Sequence, residues 1–207
     1  TMRNKTYAFA AKGGTNDEPH NHNDLGSFIL ADESGQLVCD LGCGEYTRQY
    51  FEPDTRYSIL CNSSLGHGVP IIGDEAQREG TEFFAALCKT ENGICIDLTH
   101  AYQTDAIKYI KRRFGFSEKA VTLNDEFSFY RPVPVTERFV SRIKPEIKEN
   151  SVQIGNLRIT AETGTPTVTT QRHLEHGGGG SATVYLIDFA LPPQTGFMFQ
   201  AEFAFSY

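Results

Sequence analysis

No apolar run in this 207-residue chain approaches the roughly 20 residues that a helix needs to span a bilayer, which excludes a helical membrane protein. Positive charge is also in short supply. Lys and Arg total 19 against 26 Asp and Glu, a formal net charge of −7, so no net positive field is available to collect the phosphates of nucleic acid. A disulfide framework is missing too: Cys39, Cys43, Cys61, Cys88 and Cys95 are odd in number and irregular in spacing, which points to free thiols in a reducing, cytoplasmic-type compartment. Cys39-x-x-x-Cys43 lacks a second Cys or His pair at zinc-finger spacing and reads as packing. No signal peptide is evident, and Thr1 ahead of Met2 reads as the mark of a piece excised from a longer protein. Nine prolines and 19 glycines leave little room for long helices. With no composition shift along the chain, 1–207 reads as a single domain, long enough to build a core without a disulfide or metal staple.

What the chain does have is strand signal. Short runs rich in Val, Ile, Phe and Tyr fall at 7–11, 27–31, 37–41, 69–72, 83–87, 94–98, 121–123, 127–130, 151–154, 157–161, 184–189 and 197–205. Turn chemistry separates several of them: Glu91-Asn92-Gly93, Leu123-Asn124-Asp125 and Ile154-Gly155-Asn156-Leu157 read as hairpin connections. The stretch 105–114 fits helix and strand periodicity about equally, and the all-β surroundings predict strand. The expected fold is therefore an all-β antiparallel sandwich with little helix, with His176-Gly177-Gly178-Gly179-Gly180 as a mobile loop between two strands.

The densest chemistry lies in Gly13-Gly14-Thr15-Asn16-Asp17-Glu18-Pro19-His20-Asn21-His22-Asn23-Asp24-Leu25-Gly26-Ser27-Phe28. On an extended segment, His20 and His22 would point to one face, with Asp24 on the same face, and both imidazoles could address one site. Asp40 and His67 are the next candidate ligands; two imidazoles and a carboxylate are a common open zinc set. A metallo-β-lactamase-type HxHxDH motif would need His where Leu25 stands. A cupin opening is met by Gly14, His20 and His22, but Gly26 and Ser27 occupy the places of its Glu, so a cupin-like metalloenzyme is the alternative. Asp24 reads as a brace for the loop, and Tyr46 and Tyr50 as packing residues within reach of a sugar. His173 and His176 read as part of a solvated loop. Lys108-Tyr109-Ile110-Lys111-Arg112-Arg113 is the one basic cluster; it reads as a solvated sheet face, with contact to an anionic glycan as the sharper alternative.

Taken together, Gly13-Gly14 with His20-Asn21-His22-Asn23-Asp24-Leu25-Gly26-Ser27-Phe28, then Val38-Cys39-Asp40-Leu41-Gly42 with Tyr46, then Ser63-Ser64-Leu65-Gly66-His67-Gly68 with Gly73 and Gln77, resembles the C-terminal domain of the heparinase II/III-like polysaccharide lyases. Val135-Thr136-Glu137-Arg138-Phe139 and Lys144-Pro145-Glu146-Ile147 resemble later strands of the same domain. The resemblance implies a β-sandwich that packs, in the whole protein, against an upstream helical toroid, with the active site between them. It implies β-elimination on an acidic polysaccharide, glycosaminoglycan or alginate in type. His20 would be the sandwich's catalytic histidine in the cleft, and His22, Asp40 and His67 would hold zinc or another divalent ion. Without the toroid, the 207-residue chain alone is expected to be inactive. A non-catalytic carbohydrate-binding sandwich is the reading from a different class.

Overall fold

Burial alternates residue by residue along the long strands, as a period-2 apolar pattern requires of a sheet with one covered face. The structure, a computed structural model, describes residues 1–178 and 180–206. In chain order the strands are β1 (Met2–Arg3), β2 (Ala8–Ala11), β3 (Gly14–Asn16), β4 (Phe28–Asp32), β5 (Gly35–Val38), β6 (Pro70–Ile72), β7 (Gly80–Thr90), β8 (Gly93–His100), β9 (Ile107–Phe116), β10 (Ala120–Ser141), β11 (Glu146–Lys148), β12 (Ser151–Ile154), β13 (Leu157–Ala161), β14 (Pro166–Leu174) and β15 (Ser181–Phe205). Among the described residues, helix is confined to α1 (Arg48–Phe51), α2 (Pro53–Arg56) and a 3-10 turn at Ser64–Gly66. None of these is long and apolar enough to cross a membrane.

β1-β2-β4-β5 form a four-stranded sheet. The other strands form one antiparallel sheet of eleven, in the order β11-β12-β13-β15-β10-β9-β8-β7-β3, with β14 also on β15 and β6 on β10. β10 and β15 are 22 and 25 residues long, on the order of 70–85 Å if straight, far more than a domain of this length can hold. Both therefore turn a corner. Ladder register breaks between Ser128 and Val133 and again before Val135, around Pro132 and Pro134, and the facing part of β15 carries Pro192, Pro193 and Gly196. Phe139 shows the outcome: its ladder partner is Ile187, yet its ring sits 5.1 Å from that of Phe203 on the far half of β15. The two halves of each long strand thus serve opposite layers of one sandwich.

The expectation of a hairpin at 123–125 is corrected here. Asp125 lies mid-strand opposite Arg112 of β9 and Phe199 of β15. Asn and Asp signal a turn when their side chains bond the local backbone; Asn124 instead accepts from Gln200 (2.8 Å), and Asp125 accepts from Arg112. The runs 121–123 and 127–130 are one strand, and so are 184–189 and 197–205. The stretch 105–114 is strand as expected, and Thr90↔Gly93 and Ile154↔Leu157 close the two other expected hairpins. β14 lacks the apolar run that marks the other strands; its β-branched Thr-Val-Thr-Thr stretch is largely exposed and pairs with β15. Of the glycine run that follows, Gly179 lies outside the described residues, and Glu175 N–H donates to the Gly180 carbonyl (3.0 Å) across the connection.

The small sheet joins the second half of β10 where Cys39 N–H donates to the Val140 carbonyl (2.9 Å). Phe28 on β4 packs within 5.0 Å of Phe114, 5.4 Å of Phe203 and 5.9 Å of Phe139, so both sheets share one core. The loops after β3 and β5 and the one before β6 gather at this junction.

Candidate functional site

Backbone geometry in those loops is set by glycines that no other residue can replace without strain. Gly26 has φ +87°, and a Cβ there would lie 2.8 Å from Leu98 Cδ2. At Gly66 a Cβ would fall 2.1 Å from the Leu60 carbonyl oxygen. Gln77 then fastens the first loop to the third. Its side chain accepts from Leu25 N–H (2.9 Å) and donates to the Leu25 carbonyl (2.8 Å), while its own backbone N–H donates to Ser64 Oγ (2.9 Å). Asn23 N–H adds a bond to the Asn62 carbonyl (3.0 Å).

At the centre is His67, with no solvent exposure. Its Nε2 lies 2.8 Å from the Cys61 carbonyl oxygen, which can only accept, so Nε2 carries the proton. Nδ1 faces Asp40 Oδ2 at 2.9 Å. Burial alone would lower the His67 pKa, but the hydrogen bond and charge of Asp40 outweigh it and the pKa is raised. Burial pushes the other way on Asp40, and His67 together with the Gly42 amide (2.8 Å) holds that carboxylate well below its ordinary range. With the ring oriented by the Cys61 carbonyl, exchange of the Nδ1 proton for a cation would free a lone pair there for metal ligation. Asp24, Asp40 and His67 place ligand atoms within 4.8 Å of one another, and this donor set fits a divalent ion.

His22 stands beside them, its ring 5.5 Å from that of His67 and its Nε2 3.2 Å from the Tyr50 hydroxyl. Burial first, and the His67 charge second, lower its pKa to about 4, so it is a neutral imidazole at neutral pH. Asp24 does brace the loop, as an ion pair with Lys12, and it also belongs to the donor set. Three of the four motif residues thus converge, since Asp40 and His67 touch and His22 lies against them.

His20 does not join them. The segment is a turn rather than a strand, with His20 at φ +61° and Asn21 N–H donating to the Glu18 carbonyl (3.1 Å), so strand alternation does not put His20 and His22 on one face. His20 is exposed and makes no side-chain hydrogen bond or ion pair among the described residues, which leaves its imidazole free for a ligand. Tyr46 is half exposed beside Tyr50, with the His176 ring 4.1 Å away. His173, expected in a solvated loop, is instead buried in β14, and burial lowers its pKa.

The basic cluster is not a free cationic strip. Lys111 pairs with Asp97, Arg113 with Glu126 (2.8 Å), and Lys108 sits over the Tyr130 ring (5.1 Å). Arg112 has no exposure at all. Alternation carried that signal: Ile110 and Phe114 point into the core, and a residue midway between them on a strand must do so too. Lys12 and Arg112 are the contributors to the site that motif reasoning missed.

No family model matches the sequence, and no curated protein does. Among solved structures, the chain superposes on the heparinase III BT4657 gene product with a TM-score of 0.76 at 11% identity, over 96% of this chain and 32% of that one. It superposes on heparan sulfate lyase HepC from Pedobacter heparinus with a TM-score of 0.72 at 12% identity, over 96% of this chain and 33% of that one. The 4-alpha-glucanotransferase from Thermococcus litoralis follows at 0.60 and 11% identity, over 98% of this chain and 36% of that one. The chain spans about a third of the length of these proteins. The likeness is one of fold, that of a heparinase III-type C-terminal sandwich domain.

Proposed function

We propose that the chain is the sandwich domain of a polysaccharide lyase that cleaves uronate-containing chains, glycosaminoglycan- or alginate-like, by β-elimination. One observation carries the reading. A buried His67 with the partly buried Asp40 and His22 against it, and an exposed His20 nearby in the chain, sits in the loops of a sandwich that superposes on a heparinase III and a heparan sulfate lyase over 96% of its length.

The elimination breaks the C5–H bond of the uronate, and its electron pair becomes the C4–C5 double bond. The C4–O bond to the leaving sugar breaks, and a proton is delivered to the departing oxygen. Charge builds on the uronate carboxylate as the C5 proton leaves, and positioned hydrogen-bond donors lower that barrier. His20 supplies such a donor, or a proton-transfer group, from the sandwich wall. The base or acid that complements it comes from an upstream helical toroid, which packs on the sandwich in the whole protein. His22, Asp40 and His67 would hold a divalent cation, zinc first; Asp40 and His67 already place ligand atoms within 4.8 Å of each other and of Asp24, a further donor, while His22 would complete the set from beside them. The cation adds rigidity to the wall on which His20 stands. The chain's own part in that rigidity is the Cys61 carbonyl, which sets the His67 tautomer, and Gln77, which pins Leu25.

The 207-residue chain by itself is expected to release no unsaturated uronate from glycosaminoglycan or alginate, measured by ultraviolet absorbance, whereas a chain extended upstream to include the toroid does. A glucanotransferase carries a similar sandwich, so fold alone does not choose the chemistry. Glycan binding without elimination by the extended chain would favour the carbohydrate-binding reading instead.

A further inference from the structure

Arg112 lies at the centre of β9 with no exposure, and every one of its five N–H groups has a partner. Nε donates to Asp125 (2.9 Å to Oδ2), and Nη2 donates to Asp125 Oδ2 (2.6 Å) and Glu137 Oε2 (2.9 Å). The remaining nitrogen, Nη1, reaches out of the sheet to two backbone carbonyls, Gly26 at 2.9 Å and Gly68 at 2.8 Å. Gly26 is two residues after Asp24, and Gly68 directly follows His67. One guanidinium nitrogen therefore ties together the loop that carries His20, His22 and Asp24 and the loop that carries His67.

We propose that Arg112 is a positioning residue for this site, a buried clamp that makes the two loops open and close as one unit. The inference rests on the cluster around His67 and is independent of the polysaccharide chemistry.

The chemistry of the clamp suits Arg alone. A guanidinium is a planar fork that can bond two carboxylates on one side and two carbonyls on the other, whereas an ammonium is a compact point donor that cannot span both sets. Removing it from water is tolerated because Asp125 supplies a bidentate partner. Glu137 adds a further acceptor at 2.9 Å, and burial and then the Asp125 charge raise its pKa. Asp125 and Glu137 sit on the two halves of the bent β10, so the clamp is anchored to both layers of the sandwich. The loops inherit the rigidity of the most deeply packed part of the fold.

Native-state hydrogen exchange on the whole chain, freed of metal with a chelator, tests this. The amides of Asn23, Gly26 and Ser27 and those of Gly66, His67 and Val69 are all hydrogen-bonded and report the two loops. In the unaltered chain both sets should share one opening event, with the same dependence on added denaturant. In Arg112→Lys both sets should exchange faster by about tenfold or more, the scale of a lost charge-assisted hydrogen bond. Amides of the β10–β15 ladder should keep their protection. Zinc affinity of that variant should fall by roughly 10–100-fold, as for lost groups that orient metal ligands. Independent opening of the two loops in the unaltered chain would overturn the proposal even if Arg112→Lys does not fold. So would faster exchange in one loop only, or unchanged exchange in both. If the unaltered chain binds no zinc, the metal reading fails while the exchange result still decides on Arg112.

Discussion

Replacing His20 by Ala in the toroid-containing protein is expected to lower turnover by about 10²–10⁴-fold, the usual loss for a missing acid–base group. The side chain is exposed and bonds to nothing among the described residues, so the substitution removes no contact that holds the fold. The melting temperature should stay within the small range typical of surface changes. His20→Asn separates two roles. Asn tolerates the left-handed backbone at φ +61° and can still donate a hydrogen bond, but it cannot transfer a proton at neutral pH. Substantial recovery in His20→Asn would assign His20 to the uronate carboxylate, and no recovery would assign it to proton transfer. A fully active His20→Ala protein would place the chemistry elsewhere.

The largest expected loss of stability belongs to Phe139→Ala, at about 3–5 kcal/mol. Phe139 is fully buried where the layers meet, with ring neighbours Phe28 at 5.9 Å, Phe189 at 5.9 Å, Phe199 at 6.5 Å and Phe203 at 5.1 Å. Those neighbours come from β4 and from both halves of β15, and they cannot collapse together without moving two bent strands. For a domain of this size the loss corresponds to a fall in melting temperature of roughly 6–20 °C. Thermal unfolding followed by circular dichroism measures it, and a shift of only a degree or two would mean that the core is looser than its ring packing indicates.

Most of the fold was legible because strand alternation and turn residues are local signals. Residues 151–161 show this best, where Gly155-Asn156 separates two alternating runs. The bent strands were not legible. Nothing near Asn124-Asp125 says that a guanidinium thirteen residues earlier will occupy the carboxylate, and without that partner the pair reads as a turn. Polar β14 was missed for a related reason, since it has no apolar run of its own and pairs with β15. At the site, His22, Asp40 and His67 are neighbours, with Asp24 in the place the sequence reading gave His22 in the donor set, yet the reason for expecting His20 and His22 on a common face did not survive. A Pro19-His20 turn replaces the extended segment, and a left-handed residue redirects the side chains on either side of it. Arg112 was hidden by its neighbours, because three basic residues in a row look like a solvated face until the inward residue of the strand is singled out.

Metal content of the 207-residue chain bears most directly on the proposed site, a cage of His22, Asp40 and His67 beside the His20 loop. Elemental analysis after purification without chelator and equilibration with zinc should find about one ion per chain, bound through nitrogen and oxygen donors at about 2.0–2.2 Å by X-ray absorption. His22→Ala and His67→Ala should each lose it. A chain that takes up no metal under these conditions, with circular dichroism showing an intact sheet, would contradict the cage and leave Asp40–His67 as a half-buried ion pair complete in itself.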